Sequence, residues 1–174
     1  AVAVPAYTGD ITLFNRPGTT NADAIDVVAA ITNVRGGCAE NGDQFVTNVS
    51  FDVLARRNDT GPARTVTLPW FAAVVRGGDN LVAKQVGQVT VSFADGQDRA
   101  QASASAQSSV LRSAATLPAD IQEKTTRDRK PGDEDAAIDP MSDTKTREAV
   151  RAASFEVLVG FQLTQEQLAY NATR

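Results

Sequence analysis

Between Phe45 and Arg56 apolar and polar residues alternate. Phe45, Val49, Phe51 and Val53 fall on odd positions, with Asn48, Ser50 and Asp52 between them. The same period of two recurs at Val66-Leu68-Trp70, at Val89-Val91-Phe93 and at Phe155-Val157-Val159-Phe161. That period sets one row of side chains in a core and the other in water, which is the mark of a half-buried strand. Shorter runs predict further strands over 10–15 (Ile11, Leu13), 25–34 (Ile25, Val27, Ala29, Ile31), 64–75, 81–84 and 87–93. Turn residues separate them at Asn15-Arg16-Pro17-Gly18, Gly36-Gly37, Asn58 to Pro62, Arg76 to Asn80 and Asp95-Gly96. Pro69 cannot donate to a ladder, so its strand is expected at an edge or bulged there. Gly87 suggests a second bulge. Ala102 to Ala106 alternates with small residues only, and propensity leaves it undecided.

Strands spaced in this way with turn signals between them predict an all-β fold. The expected form is an immunoglobulin-like antiparallel β-sandwich, although the Cys-Trp-Cys spacing of true immunoglobulin domains is missing. Residues 1–9 read as an extended tail and 10–174 as a single domain. Within that domain, 116–153 is a polar excursion with few large apolar groups. A short helix is expected over Thr144 to Ala153, capped by Ser142 or Asp143. Phe155 to Leu163 is the last strand. Thr164 and Gln167 have the spacing of a capping box opening a terminal helical turn that carries Leu168 and Tyr170.

Composition narrows the function classes. The chain has 174 residues, 42% apolar and 22% charged, which suits one soluble domain large enough to fold without a disulfide or metal. Its net charge of −4 and the lack of a clean basic run argue against nucleic acid. Arg127 to Lys130 contains Asp128 and is followed by Asp133-Glu134-Asp135, which reads as a solvated loop. There is no histidine, which removes the commonest general base and the usual catalytic triads. No run approaches the roughly 20 apolar residues of a membrane helix. No signal peptide is seen, and Ala1 to Ala6 reads as a processed start.

The remaining chemistry is sparse. Asp133, Glu134, Asp135, Asp139 and Asp143 form an acidic loop that fails the calcium-loop spacing, because Ile138 stands where glycine is required. The expected reading is a solvated loop, with a weak calcium site as the alternative. Cys38, the lone cysteine, is expected to be a small, partly buried, unreactive hydrophobe. Asp26, Asp52 and Glu156 lie on strands and are the carboxylates that could converge for glycoside hydrolysis. Asn48, Asn58 and Asn171 begin glycosylation sequons, a pattern short enough to arise by chance. No catalytic, cofactor-binding or metal-binding residue is assigned.

One strand is apolar on both faces. Trp70 shares a face with Val66, Leu68, Ala72 and Val74, while Phe71, Ala73 and Val75 share the other. Something must cover the second row. Either the excursion does, through Ala149, Val150 and Ala153 of its helix, or Phe71, Ala73 and Val75 form a partner surface.

At the C-terminus, Ser154-Phe155-Glu156-Val157-Leu158-Val159-Gly160-Phe161-Gln162-Leu163-Thr164 is followed by Gln167-Leu168-Ala169-Tyr170-Asn171. This segment resembles the ending of a family of small envelope lipoproteins of alphaproteobacteria. Leu68 to Val75 and Gly36-Gly37-Cys38 are similar as well, so the resemblance runs from about Ile25 onward. The family has no assigned activity. The resemblance implies a secreted precursor whose mature chain begins with a lipid-bearing cysteine. Such an anchor would lie upstream of this chain, and Cys38 is not it. The resulting expectation is a non-enzymatic, periplasm-facing envelope protein without a cofactor, tethered at the outer membrane. It would act as an accessory subunit binding envelope protein partners. The alternative is a module that binds a glycan or small molecule, with Trp70 or Tyr7 as a stacking platform.

Overall fold

The computed structural model describes residues 1–174 and consists mainly of strands. One four-stranded sheet has the order β1 (Val2–Ala3), β8 (Phe155–Phe161), β5 (Arg64–Arg76), β6 (Asn80–Phe93). The other has the order β2 (Asp10–Phe14), β3 (Ile25–Asn41), β4 (Gln44–Arg57), β7 (Arg99–Leu111). Neighbouring strands are antiparallel except β1, which runs parallel to β8. The all-β, two-sheet class expected from the alternation is what the chain adopts. Val49, Phe51 and Val53 of one sheet share a single cluster of 19 buried residues with Leu68, Trp70, Val91, Phe93, Val159 and Phe161 of the other. Burying each large side chain of this set contributes roughly 1.5–3 kcal/mol.

Several boundaries differ from the expectation. β3 does not stop at Gly36-Gly37 but continues to Asn41. Its register with β4 shifts between Thr32 and Arg35, where Asn33 takes a positive φ of 53°. The inserted residue moves the inward row from Val27, Ala29 and Ile31 to Val34, Gly36 and Cys38. Gly36 is needed there for a packing reason: a Cβ would come within 2.4 Å of Val2 Cγ2. Residues 1–9 are therefore not a free tail. Val2 and Ala3 pair with Val157 and Leu158. Phe161 N–H then donates to Thr8 O and Ile31 N–H to Gly9 O, each at 2.8 Å, so the segment bridges both sheets.

β5 is a central strand, so Pro69 does not mark an edge. A strand residue directs its N–H and C=O to the same side. Gln162 N–H donates to Pro69 O at 2.9 Å, just past the end of β8. The missing donor of Pro69 thus faces the side where β8 has already ended, and the β6 ladder loses nothing. No bulge forms at Gly87. The β5–β6 irregularity lies at Val74/Val75, opposite Ala83 and Leu81. Gly87 instead makes room for the indole of Trp70, which meets Phe51 edge-on at 5.5 Å. The small-residue run is strand β7, paired with β4 along its whole length.

The excursion contains α1 (Ala119–Thr126), in a stretch expected to be loop, and α2 (Thr144–Ala153) where expected. Asp143 caps α2, accepting from Lys145 N–H at 3.3 Å and from Thr146 Oγ1 at 2.8 Å. Ile121 and Thr146 are fully buried, and Lys145–Asp120 and Lys124–Asp143 ion pairs tie the two helices together. The capping box of Thr164 and Gln167 forms, and the helix it opens, α3 (Gln165–Thr173), is longer than the single turn expected. Asn171 of α3 donates to Tyr7 O at 2.9 Å and to Asp10 O at 2.8 Å, clamping the N-terminal segment. No helix is long and apolar enough to cross a membrane.

Candidate interaction surface

Alternation along β5 separates its two faces as expected. Trp70, Ala72 and Val74 belong to the inter-sheet cluster. Ala73 and Val75 are buried without belonging to it, so they pack on the outer face. α2 packs against β5, and its C-terminal end is fastened there: Arg76 Nε donates to Ala152 O, and Arg151 Nε to Gly77 O at 2.6 Å. Ala149, Val150 and Ala153 are half-buried, whereas Lys145, Arg147, Glu148 and Arg151 are exposed. This correction removes Ala73 and Val75 from the partner surface, because the chain itself buries them. Phe71 is half-buried, with the Lys84 ammonium 5.1 Å from its ring centroid.

The exposed apolar residues lie one strand further out. Leu81, Val82 and Val86 on β6 are 57%, 51% and 57% exposed. β6 is the free edge of its sheet, and Asn80 to Val86 are exposed on both faces. The direction of its backbone groups follows from Pro69. Since Pro69 O points toward β8, so do the polar groups of Phe71. Those of Trp70 and Ala72 then point toward β6 and pair with Gly87 and Gln85. Gln85, Gly87 and Val89 therefore bond inward, while Lys84, Val86 and Gln88 direct N–H and C=O outward from the sheet. Behind this edge a cleft of about 250 Å³ opens between β6 and β7, lined by Ala72, Val74, Ala83, Gln85, Ala106 and Gln107 among others.

The other candidates are engaged elsewhere. Asp26 receives two guanidinium hydrogen bonds from Arg64, at 2.7 and 2.6 Å, which hold its carboxyl below the usual range. Asp52 accepts from Asn33 and Ser103, both at 2.7 Å, and is held low by those bonds. Both belong to the sheet opposite Glu156, and neither has the raised pKa of a general acid. In the acidic loop, Asp133 and Asp135 pair with Arg127, and Asp139 and Asp143 serve as helix caps. Cys38 is exposed rather than partly buried, because β3 carries it past the core to the rim of a 450 Å³ depression beside Phe45, Val110 and Phe155. Trp70 is buried and cannot stack on a ligand, whereas Tyr7 is exposed.

Two features escaped the sequence reading. The exposed row on β6 was absorbed into the general alternation. Arg57 is almost fully buried, donating to the carbonyls of Gln97, Pro62, Gly61 and Ala94, with its guanidinium 5.2 Å from the Phe93 ring centroid. The signal for it was present, since Arg57 falls on the inward parity of Phe51, Val53 and Ala55. Comparisons with family models, curated proteins and solved structures return no match for this chain.

Proposed function

We propose that this chain is a non-enzymatic interaction subunit of the bacterial envelope, periplasm-facing and accessory to an outer-membrane assembly, and that β6 is the strand it offers a partner. One observation carries the proposal: a long edge strand leaves Leu81, Val82 and Val86 exposed while Lys84, Val86 and Gln88 present unpaired backbone groups. Proteins usually blunt such edges. Left open and apolar, an edge can accept an extended partner segment, with backbone bonds giving affinity and side chains giving selectivity. The envelope location rests on the resemblance of residues 154–171, with a lipid tether upstream of the chain. The architecture we propose is a β-sandwich. An immunoglobulin-like order would put the successive B and C strands in different sheets. Here β3–β4 share one sheet and β5–β6 the other, so the sandwich has hairpins alternating between sheets.

Val86→Pro tests this reading. It removes an outward N–H and leaves the β5 ladder whole, so folding should persist. Affinity purification from detergent-solubilised native membranes should retain a stoichiometric partner on the wild type and lose it on Val86→Pro. Full retention by the variant, or no partner on the wild type, would overturn the proposal.

A further inference from the structure

The outer face of the second sheet holds a separate site. Arg56 of β4 and Arg99 of β7 stand directly opposite each other across the strand pair. Like charges in that position repel. Only one carboxylate is at hand, Asp98, 3.5 Å from Arg56, and Arg99 has no ion-pair partner. The nearby Asp26 is taken by Arg64. Arg57, buried beneath with carbonyl partners alone, adds a further positive charge at this end of the sheet. The next rung is apolar: Leu54, 48% exposed, lies opposite Ala30 of β3, and Val28 lies opposite Arg56. Val28, Ala30, Leu54, Arg56 and Arg99 line an open hollow of about 740 Å³, within the size range of small-molecule sites.

We infer that this hollow binds a free single-chain amphiphile with an anionic head. The carboxylate or phosphate head lies between Arg99 and Arg56, where charge-assisted hydrogen bonds relieve the like-charge pair. The aliphatic tail lies over Leu54, Ala30 and Val28. An uncharged head leaves Arg99 without a counter-charge, and a head without a tail leaves Leu54 wet. Both halves of the ligand are thus specified by the site. The inference is independent of the β6 proposal, since the two sites lie on different sheets.

Titration calorimetry with laurate below its aggregation concentration tests it. Saturable binding of one laurate per chain is expected, weakening in high salt. Arg99→Gln should weaken it about tenfold, the loss expected for one charge-assisted hydrogen bond. Leu54→Asp should abolish it, and both variants should melt as the wild type does because both side chains are exposed. Acetate and inorganic phosphate should bind far more weakly than laurate, and dodecyl maltoside should not compete. Absence of saturable laurate binding, equal affinity in Arg99→Gln, or equal affinity for dodecyl maltoside would overturn the assignment. Vesicles of phosphatidylcholine and phosphatidylglycerol separate a free ligand from a bilayer. Arg99-dependent binding to vesicles without binding of free laurate would also overturn it.

Discussion

Gly87→Ala puts the packing of the two sheets to a quantitative test. The added Cβ would sit 2.3 Å from Trp70 Cζ2 and 2.5 Å from Cε2, inside contact distance of a buried indole wedged against Phe51. The indole cannot retreat without disturbing the core, and overpacking of this kind costs about 1–3 kcal/mol. The substitution also stiffens the unfolded chain, which returns about 0.4–1 kcal/mol. The net expectation is a loss of about 1–2 kcal/mol, or roughly 2–8 °C in Tm for a chain of this size. Trp70→Leu removes the obstructing ring and leaves a cavity, so alone it costs about 3–5 kcal/mol. In that background Gly87→Ala should become neutral or mildly stabilising, giving a coupling of about 2 kcal/mol in the double-mutant cycle. Gly37, with open space where its Cβ would be, is the control: Gly37→Ala should be neutral or stabilising. Urea denaturation followed by circular dichroism measures all of these. An unchanged midpoint for Gly87→Ala, or the same penalty with and without Trp70, would refute the placement of the indole over Gly87.

Other expectations concern the surface. Cys38 is exposed and should react with iodoacetamide in the native state without denaturant, and Cys38→Ser should melt like the wild type; slow labelling would place it back in the core. Asp26 has a folded-state pKa lowered by its hydrogen bonds from Arg64. Its contribution is therefore present above the unfolded value and lost as pH falls through the folded one. Asp26→Asn should cost less than about 1 kcal/mol at neutral pH, because the pair is partly solvated. The gap between wild type and variant should begin to narrow below about pH 4, the unfolded carboxylate value, and close below the lowered folded one; a gap that persists in strong acid would count against the ion pair. Limited trypsin should cut first after Arg127 or Arg129, in the stretch between α1 and α2 that has little regular structure; a first cut within β4 or β5 would contradict the fold.

What the sequence made legible follows from period two. Where one face was large and apolar, as at Phe51, Leu68, Val91 and Val159, alternation located both the strand and its buried side. It failed where pairing rather than side-chain size sets the structure. The alanine–serine run of β7 carries little hydrophobic signal, yet β4 pairs with it throughout. Gly36-Gly37 has the local signature of a turn, but Gly36 makes room for Val2, a contact between residues far apart in the chain. The bulge at Asn33 reversed the parity of β3, and the extension of β3 past the core left Cys38 exposed. For the candidate surface, the two faces of β5 were legible from Trp70 and Phe71. Which face stayed uncovered was not, because it depends on where α2 docks and on β6 being an edge.

Residue-resolved amide exchange of the isolated chain tests the free edge of β6 most directly. Exchange should alternate along the strand. The amides of Gln85, Gly87 and Val89, bonded to β5, should be protected to near the global stability, and those of Lys84, Val86 and Gln88 should exchange quickly. Partner binding should then protect that second set. Equal and strong protection of Lys84, Val86 and Gln88 in the isolated chain would contradict the account, because it would mean that the edge is already occupied.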